Sequence, residues 1–211
     1  MFDTLTNVAV AERAIGVVAL QELAGKAAPV TLAGDKVLPV LTPLEPLFPT
    51  GGLQRGTTVA VVGSLGLALS VVAGPSRAGA WCTAIGLPSL GVVAAAEAGI
   101  ALERFPMVAE PGDDWATIAG ALLDAFDVVL LRPAQGRPNR RLEARARERG
   151  AVLVVAGDWP GADVRLSVSS SAWEGLGDGH GYLQRRHLDV VATGRRAATK
   201  RVGAKLRFPL L

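Results

Sequence analysis

Apolar positions recur in three different rhythms along this chain. Leu5, Val8, Ala9, Glu12 and Ile15, and later Leu20 and Leu23, are spaced in threes and fours, which predicts an amphipathic helix over residues 3–25 with Gly25 as its stop. Residues 29–50 carry five prolines and no sustained period, the pattern of a connector lying on the surface of the domain after it. From residue 57 onward, short β-branched runs alternate with helical ones. Strands are predicted at 57–62, 80–85, 106–109, 127–131 and 151–156. Helices are predicted from the loop after Gly63 to near Gly74 and Pro75, after Ser89, behind Asp113, and over 139–149 with Gly150 as the stop. Asp113 reads as the N-cap of a helix whose buried face is Trp115, Ile118, Ala119, Leu122, Leu123 and Phe126. Strands separated by helices require crossover connections, hence a mostly parallel sheet with helices on both faces.

After Gly157 the period becomes two. Val164, Leu166 and Val168, then Leu188, Val190 and Ala192, then Leu206 and Phe208 alternate with polar residues, which predicts antiparallel strands extending the sheet. Gly175, Gly177, Gly179 and Gly181 mark the turn between two of them. The resulting organisation is a helix at 1–28, a proline-rich linker at 29–50, a core at 51–208 and a short tail at 209–211.

A chain of 211 residues, half of them hydrophobic, buries one substantial core. Its single cysteine, Cys82, excludes a disulfide framework and a multi-cysteine zinc site, and points to a reducing compartment. No basic leader precedes an apolar block, so a cytoplasmic protein is expected. Residues 56–76 and 78–96 lack charge, which leaves a membrane hairpin as a second reading. Their division into strand-sized pieces rich in Gly, Ser, Thr and Pro favours a buried sheet, and no membrane association is expected.

The loop after the strand at 57–62 stands where a phosphate-binding loop belongs. In the G-x-x-x-x-G-K-[ST] frame the residues are Gly63, Ser64, Leu65, Gly66, Leu67, Ala68, Leu69 and Ser70. The first glycine and the final serine are present; the second glycine is Ala68 and the phosphate-binding lysine is Leu69. At the end of the strand at 127–131, where an aspartate would hold magnesium, stands Arg132. Residues 86–89, after the strand at 80–85, offer no carboxylate to activate water. Three positions of an ATPase fail together, so no catalysis and no cofactor are expected. His180 and His187 lack partners at metal spacing, and no G-x-S-x-G occurs.

The ordered set Gly51, Gly52, Leu53, Gln54, Arg55 and Gly56, then the strand, the degenerate loop, the strand around Cys82, the segment 94–102 and the strand at 127–131 resembles the RecA recombinase core. Within it the chain is most similar to the ImuA group, small RecA-like accessory proteins of inducible mutagenic translesion synthesis, in its divergent actinobacterial form. That resemblance implies an adaptor in the damage response that binds a polymerase-like accessory subunit, with RecA as a further partner, recruited to the nucleoid at damage. The short basic segment at 132–150 and the tight turn at 157–164 leave no room for the second DNA-contacting loop of RecA, so strand exchange is not implied.

Charge sharpens where partners would bind. Residues 1–131 hold 6 Lys or Arg against 12 Asp or Glu, whereas residues 132–211 hold 16 against 7. Arg185, Arg186, Arg195, Arg196, Lys200, Arg201, Lys205 and Arg207 crowd the carboxy-terminal stretch, with Asp189 the single acid among them. Such a run suits an acidic protein surface or, alternatively, sequence-independent contact with DNA phosphates. Only Tyr182 and Phe208 stand beside it as aromatics, which gives little support to base stacking.

Overall fold

The computed structural model describes residues 36–133, 139–177, 180–194, 201–208 and 210. The predicted helix at 3–25, and Arg195, Arg196 and Lys200, lie outside the described residues.

The elements are β1 (Val37–Pro39), a 3-10 turn (Thr42–Leu47), β2 (Gly52–Gln54), β3 (Thr58–Val62), α1 (Leu65–Arg77), β4 (Cys82–Ile85), α2 (Val92–Glu97), β5 (Met107–Val108), α3 (Trp115–Ala125), β6 (Val128–Leu131), α4 (Arg140–Arg149), β7 (Val152–Ala156), β8 (Val164–Gly177), β9 (His180–Gly194) and β10 (Val202–Phe208). Among the described residues, eight strands form one sheet in the order β10-β9-β8-β3-β7-β6-β4-β5. The six from β8 to β5 in that order run parallel, and β9 and β10 continue antiparallel. The fold is therefore α/β, a mostly parallel sheet with helices on both faces and antiparallel strands at its carboxy-terminal side, as the change of rhythm predicts.

The strands are apolar throughout because both faces are covered. Val59, Val61, Val128, Leu130, Val152 and Val154 face a core built with α1, while Ala60, Val129, Leu131, Leu153 and Val155 face a second core built with α3 and α4. Asn139 caps α4 by accepting from the Arg141 N–H at 3.0 Å, and Gly150 ends it in the left-handed conformation (φ 67°). Trp159, fully buried, donates from its indole N–H to Glu143 Oε1 at 2.8 Å, closing the second core against α4.

Helices α3 and α4 are locked by charge. Asp124 accepts from Arg145 Nε and Nη2 at 2.5 Å each and from Arg149 Nε at 3.0 Å. The Arg145 hydrogen bond, outweighing partial burial and reinforced by the neighbouring guanidinium charges, holds the carboxyl below its ordinary value. A depressed folded-state value contributes stability above the unfolded carboxylate range, and that contribution is lost as pH falls through the folded value. Asp124→Asn is expected to melt below wild type at neutral pH. The two melting curves should converge as the medium is acidified below about pH 4.

Several expectations require correction. The stretch at 29–50 is not a surface connector over its described residues, 36–50. Leu38, Val40, Leu41, Leu44, Leu47 and Phe48 are all buried in the α1 core, and β1 pairs with β2 in a two-stranded sheet. The prolines hide this because a 3-10 turn buries Leu44 and Leu47 three residues apart without a helical pattern. The predicted helix ending near Gly74 and Pro75 runs on to Arg77 with Pro75 inside it. Asp113 is not the N-cap. It sits in a 3-10 turn, Gly112–Asp114, and Asp114 precedes α3 without a side-chain capping bond. The glycines at 175–181 do not all form a turn. Strand β8 continues to Gly177 and β9 begins at His180, while Gly175, at φ 112°, occupies a bulge within the arm. No helix among the described residues is long and apolar enough to cross a membrane.

Candidate functional site

The degenerate loop lies at the carboxyl end of β3, the end at which open parallel sheets place their ligands. Gly63 turns the chain out of the strand at φ 94°. A Cβ there would come within 3.1 Å of the Val168 side chain, so the turn is pressed beneath the β8 arm. Ser64 caps α1, its Oγ accepting from the Leu67 N–H at 3.2 Å. The substituted positions face inward: Ala68 is fully buried and Leu69 is 4% exposed, both within the apolar core. Ser70, where a magnesium-binding hydroxyl would stand, is buried and donates to the Gly66 carbonyl at 3.0 Å. This helix start is packed like core.

Arg132 leaves β6 at the same end of the sheet, with β7 between that strand and β3. Its backbone N–H bonds to the Ile85 carbonyl at 3.0 Å, its own carbonyl lies against Gly86 (φ 74°), and the residue is exposed. Arg132 thus puts a cation where an ATPase would place the aspartate that holds magnesium.

The residues just before β3 are positioned by an ion pair. Arg55 Nη1 lies 2.8 Å from Asp127 Oδ1, and Asp127 Oδ2 accepts from the Trp81 N–H at 3.0 Å. Gly56 stands at φ 78°, with the Arg147 backbone 3.3 Å from where a Cβ would be. The motif at 51–56 is therefore a latch at the amino end of the sheet, joining β3 to the starts of β4 and β6. Cys82 is buried beside this latch. Burial above all, with the Asp127 charge adding to it, pushes its thiol far up, so it packs as an apolar residue.

The basic carboxy-terminal run does not form one surface. In the β8–β9 register Trp173 lies opposite Arg186 and Glu174 opposite Arg185, so alternation sends Arg186 and Arg185 to opposite faces. Arg185, Lys205 and Arg207 share the open face, where Glu174 Oε2 lies 3.5 Å from Arg207 Nη2 and Glu174 Oε1 lies 2.6 Å from His187 Nε2. Arg201 is exposed just before β10. No group of three or more His, Cys, Asp or Glu side chains able to hold a metal occurs among the described residues.

Trp173 is a site residue that the sequence pattern does not single out. It is 53% exposed, and the Arg186 guanidinium carbon lies 5.5 Å from its ring centroid. The glycines at 175–181 conceal it, because they end the predicted strand early. The bulge between Val168 and Ser170 shifts the period-two alternation ahead of Trp173, so it is the pairing of β8 with β9 that sets Trp173 opposite Arg186. With Phe208 these two overhang Leu65, Leu69, Leu90 and Ala94 around a groove of about 390 Å³, at the mouth of the degenerate loop.

Comparison with known proteins places these features in a family. An uncharacterized protein of Mycobacterium tuberculosis (strain ATCC 25618 / H37Rv), Rv3395c, is 36% identical over 135 residues, a stretch that spans 61% of this chain and 66% of that protein. The family model of the MT3502 N-terminal domain matches residues 46–161, from within the 3-10 turn through β7, taking in the latch, the degenerate loop and Arg132. The chain belongs to the MT3502 N-terminal domain family.

Proposed function

We propose that the chain is a non-catalytic RecA-like adaptor of damage-induced mutagenic translesion synthesis, acting in the cytoplasm and at damaged nucleoid by binding a polymerase-like accessory subunit, with RecA as a second partner. The observation that carries the non-catalytic part is the fate of the phosphate loop. Position 69, at the floor of the groove, carries the buried and uncharged Leu69 where a lysine would be needed, and the hydroxyl of Ser70 is spent on the Gly66 carbonyl. A triphosphate–magnesium complex needs that charge, which Leu69 does not supply, and Arg132 opposes the metal. The sheet order, the loop at the end of β3 and the latch at 51–56 support the RecA-like assignment. The adaptor role follows from that resemblance.

The test has two parts. Isothermal titration with ATP and magnesium is expected to give no binding heat for wild type. Ala68→Gly with Leu69→Lys should destabilise the fold by about 2–5 kcal/mol, because a buried leucine is lost to a charged chain. Immobilised protein is expected to retain a purified mutagenic polymerase subunit. Tight ATP binding by wild type overturns the reading, as does failure to retain any subunit of the mutagenic machinery or RecA. The exposed Arg185, Arg201, Lys205 and Arg207 favour a second reading, DNA contact through backbone charge, which a steep loss of DNA affinity with salt would select.

A further inference from the structure

Strand β3 ends at Val62, paired with Ser167, yet β8 continues to Gly177 and β9 returns from His180. At roughly 3.3 Å per residue the hairpin projects about 30 Å beyond the end of β3, with β10 alongside it as far as Phe208, opposite Arg186. Bulges between Val168 and Ser170 and between Glu174 and Leu176 bend this arm. One of its faces, carrying Trp173, Gln184 and Arg186, lines the groove opposite α1 and α2. The facing wall is short α2 with its start, which contributes Gly91, Ala94, Glu97 and Ala98. An arm of this length costs backbone entropy and leaves a tryptophan in water, a combination that marks an interaction surface.

The chemistry of the groove selects its occupant. Its floor, Leu65, Leu69 and Leu90, is aliphatic, and the one face of Trp173 directed to a cation is taken by Arg186. Arg186 is the cation lining the hairpin side, and Glu97 the acid lining the α2 side. Resting on the adaptor reading, we infer that this groove is the docking site for a short amphipathic segment of the protein partner. Its apolar side chains fill the space between α1, α2 and Trp173, and an acidic side chain meets Arg186. The acid lies on the hairpin flank and not beside Glu97, which sets the direction in which the segment enters. Single-stranded nucleic acid fits less well, because the floor of Leu65, Leu69 and Leu90 is aliphatic and the groove carries the acid Glu97 beside its one cation.

A random 12-residue peptide library displayed on phage and selected on the full-length protein provides the test. Selected peptides are expected to combine large apolar residues with Asp or Glu. Their affinity, read by fluorescence anisotropy, should fall by about tenfold or more in Ala94→Arg, which blocks the groove from an exposed helix position, and in Arg186→Glu. Arg185→Glu, on the opposite face of the same strand, should leave it unchanged. Trp173→Ala gives a second, exposed truncation should Ala94→Arg fail to fold. The inference is overturned if no peptide is selected, or if binding ignores Ala94→Arg, Arg186→Glu and Trp173→Ala. It is equally overturned if a dT20 oligonucleotide or a synthetic peptide of residues 3–25 occupies the groove and excludes the selected peptides. Retention of the polymerase subunit by Ala94→Arg and Arg186→Glu at wild-type strength would sink the groove while leaving the adaptor reading standing.

Discussion

Arg55→Ala is expected to lower the unfolding free energy by about 3–5 kcal/mol, read as a drop in the urea midpoint at unchanged slope. The cost arises at the partner. Asp127 is 6% exposed and would keep the Trp81 N–H while losing the guanidinium at 2.8 Å, leaving a buried carboxylate without its counter-charge. Arg55→Met with Asp127→Asn should recover a large part of the loss, since the amide oxygen can still accept from Trp81 and no charge remains to be desolvated. A loss of under about 1 kcal/mol for Arg55→Ala would show that the latch is a solvated surface pair. The residues that most resemble the RecA core would then have no structural role in holding β3.

Gly74→Ala is expected to destabilise by about 2 kcal/mol or more, although alanine is the better helix former by about 1 kcal/mol. A Cβ at position 74 would lie 2.5 Å from Val40 Cα and 2.7 Å from the Pro39 carbonyl oxygen. Both are backbone atoms, so neither can rotate away. Thermal melting of the variant reads the sign directly. A rise in melting temperature would mean that residues 37–40 are not seated on α1, and that the stretch is the surface connector its prolines suggest.

The lack of a lysine and an aspartate at the positions a phosphate-binding loop would need is legible in the sequence, because it depends on residue identity at fixed spacing. Leu69 and Arg132 cannot do what lysine and aspartate do, wherever the chain goes. The structure adds that Leu69 and Ala68 are buried in the core. The groove is not legible in the sequence. Its walls come from α1, α2 and the β8–β9 arm, and its tryptophan stands after a run of serines whose pairing partner lies beyond a glycine-rich turn. The basic run looks like one surface in sequence, because only the pairing of β9 with β8 carries the strand out to Arg185 and Arg186, where alternation divides them between two faces.

Local periodicity thus determined the strands, the helices, the parallel core and the antiparallel extension, since alternation at two or at three to four reports which side of each element is buried. Tertiary structure alone decided that the proline-rich stretch is core, that the hairpin overhangs the loop, and that Arg185 and Arg186 serve different faces. Each of these rests on two distant segments approaching one another, as Val40 does Gly74 and Trp173 does Arg186. Periodicity marks a residue as one that will be covered, but only the assembled backbone decides by what.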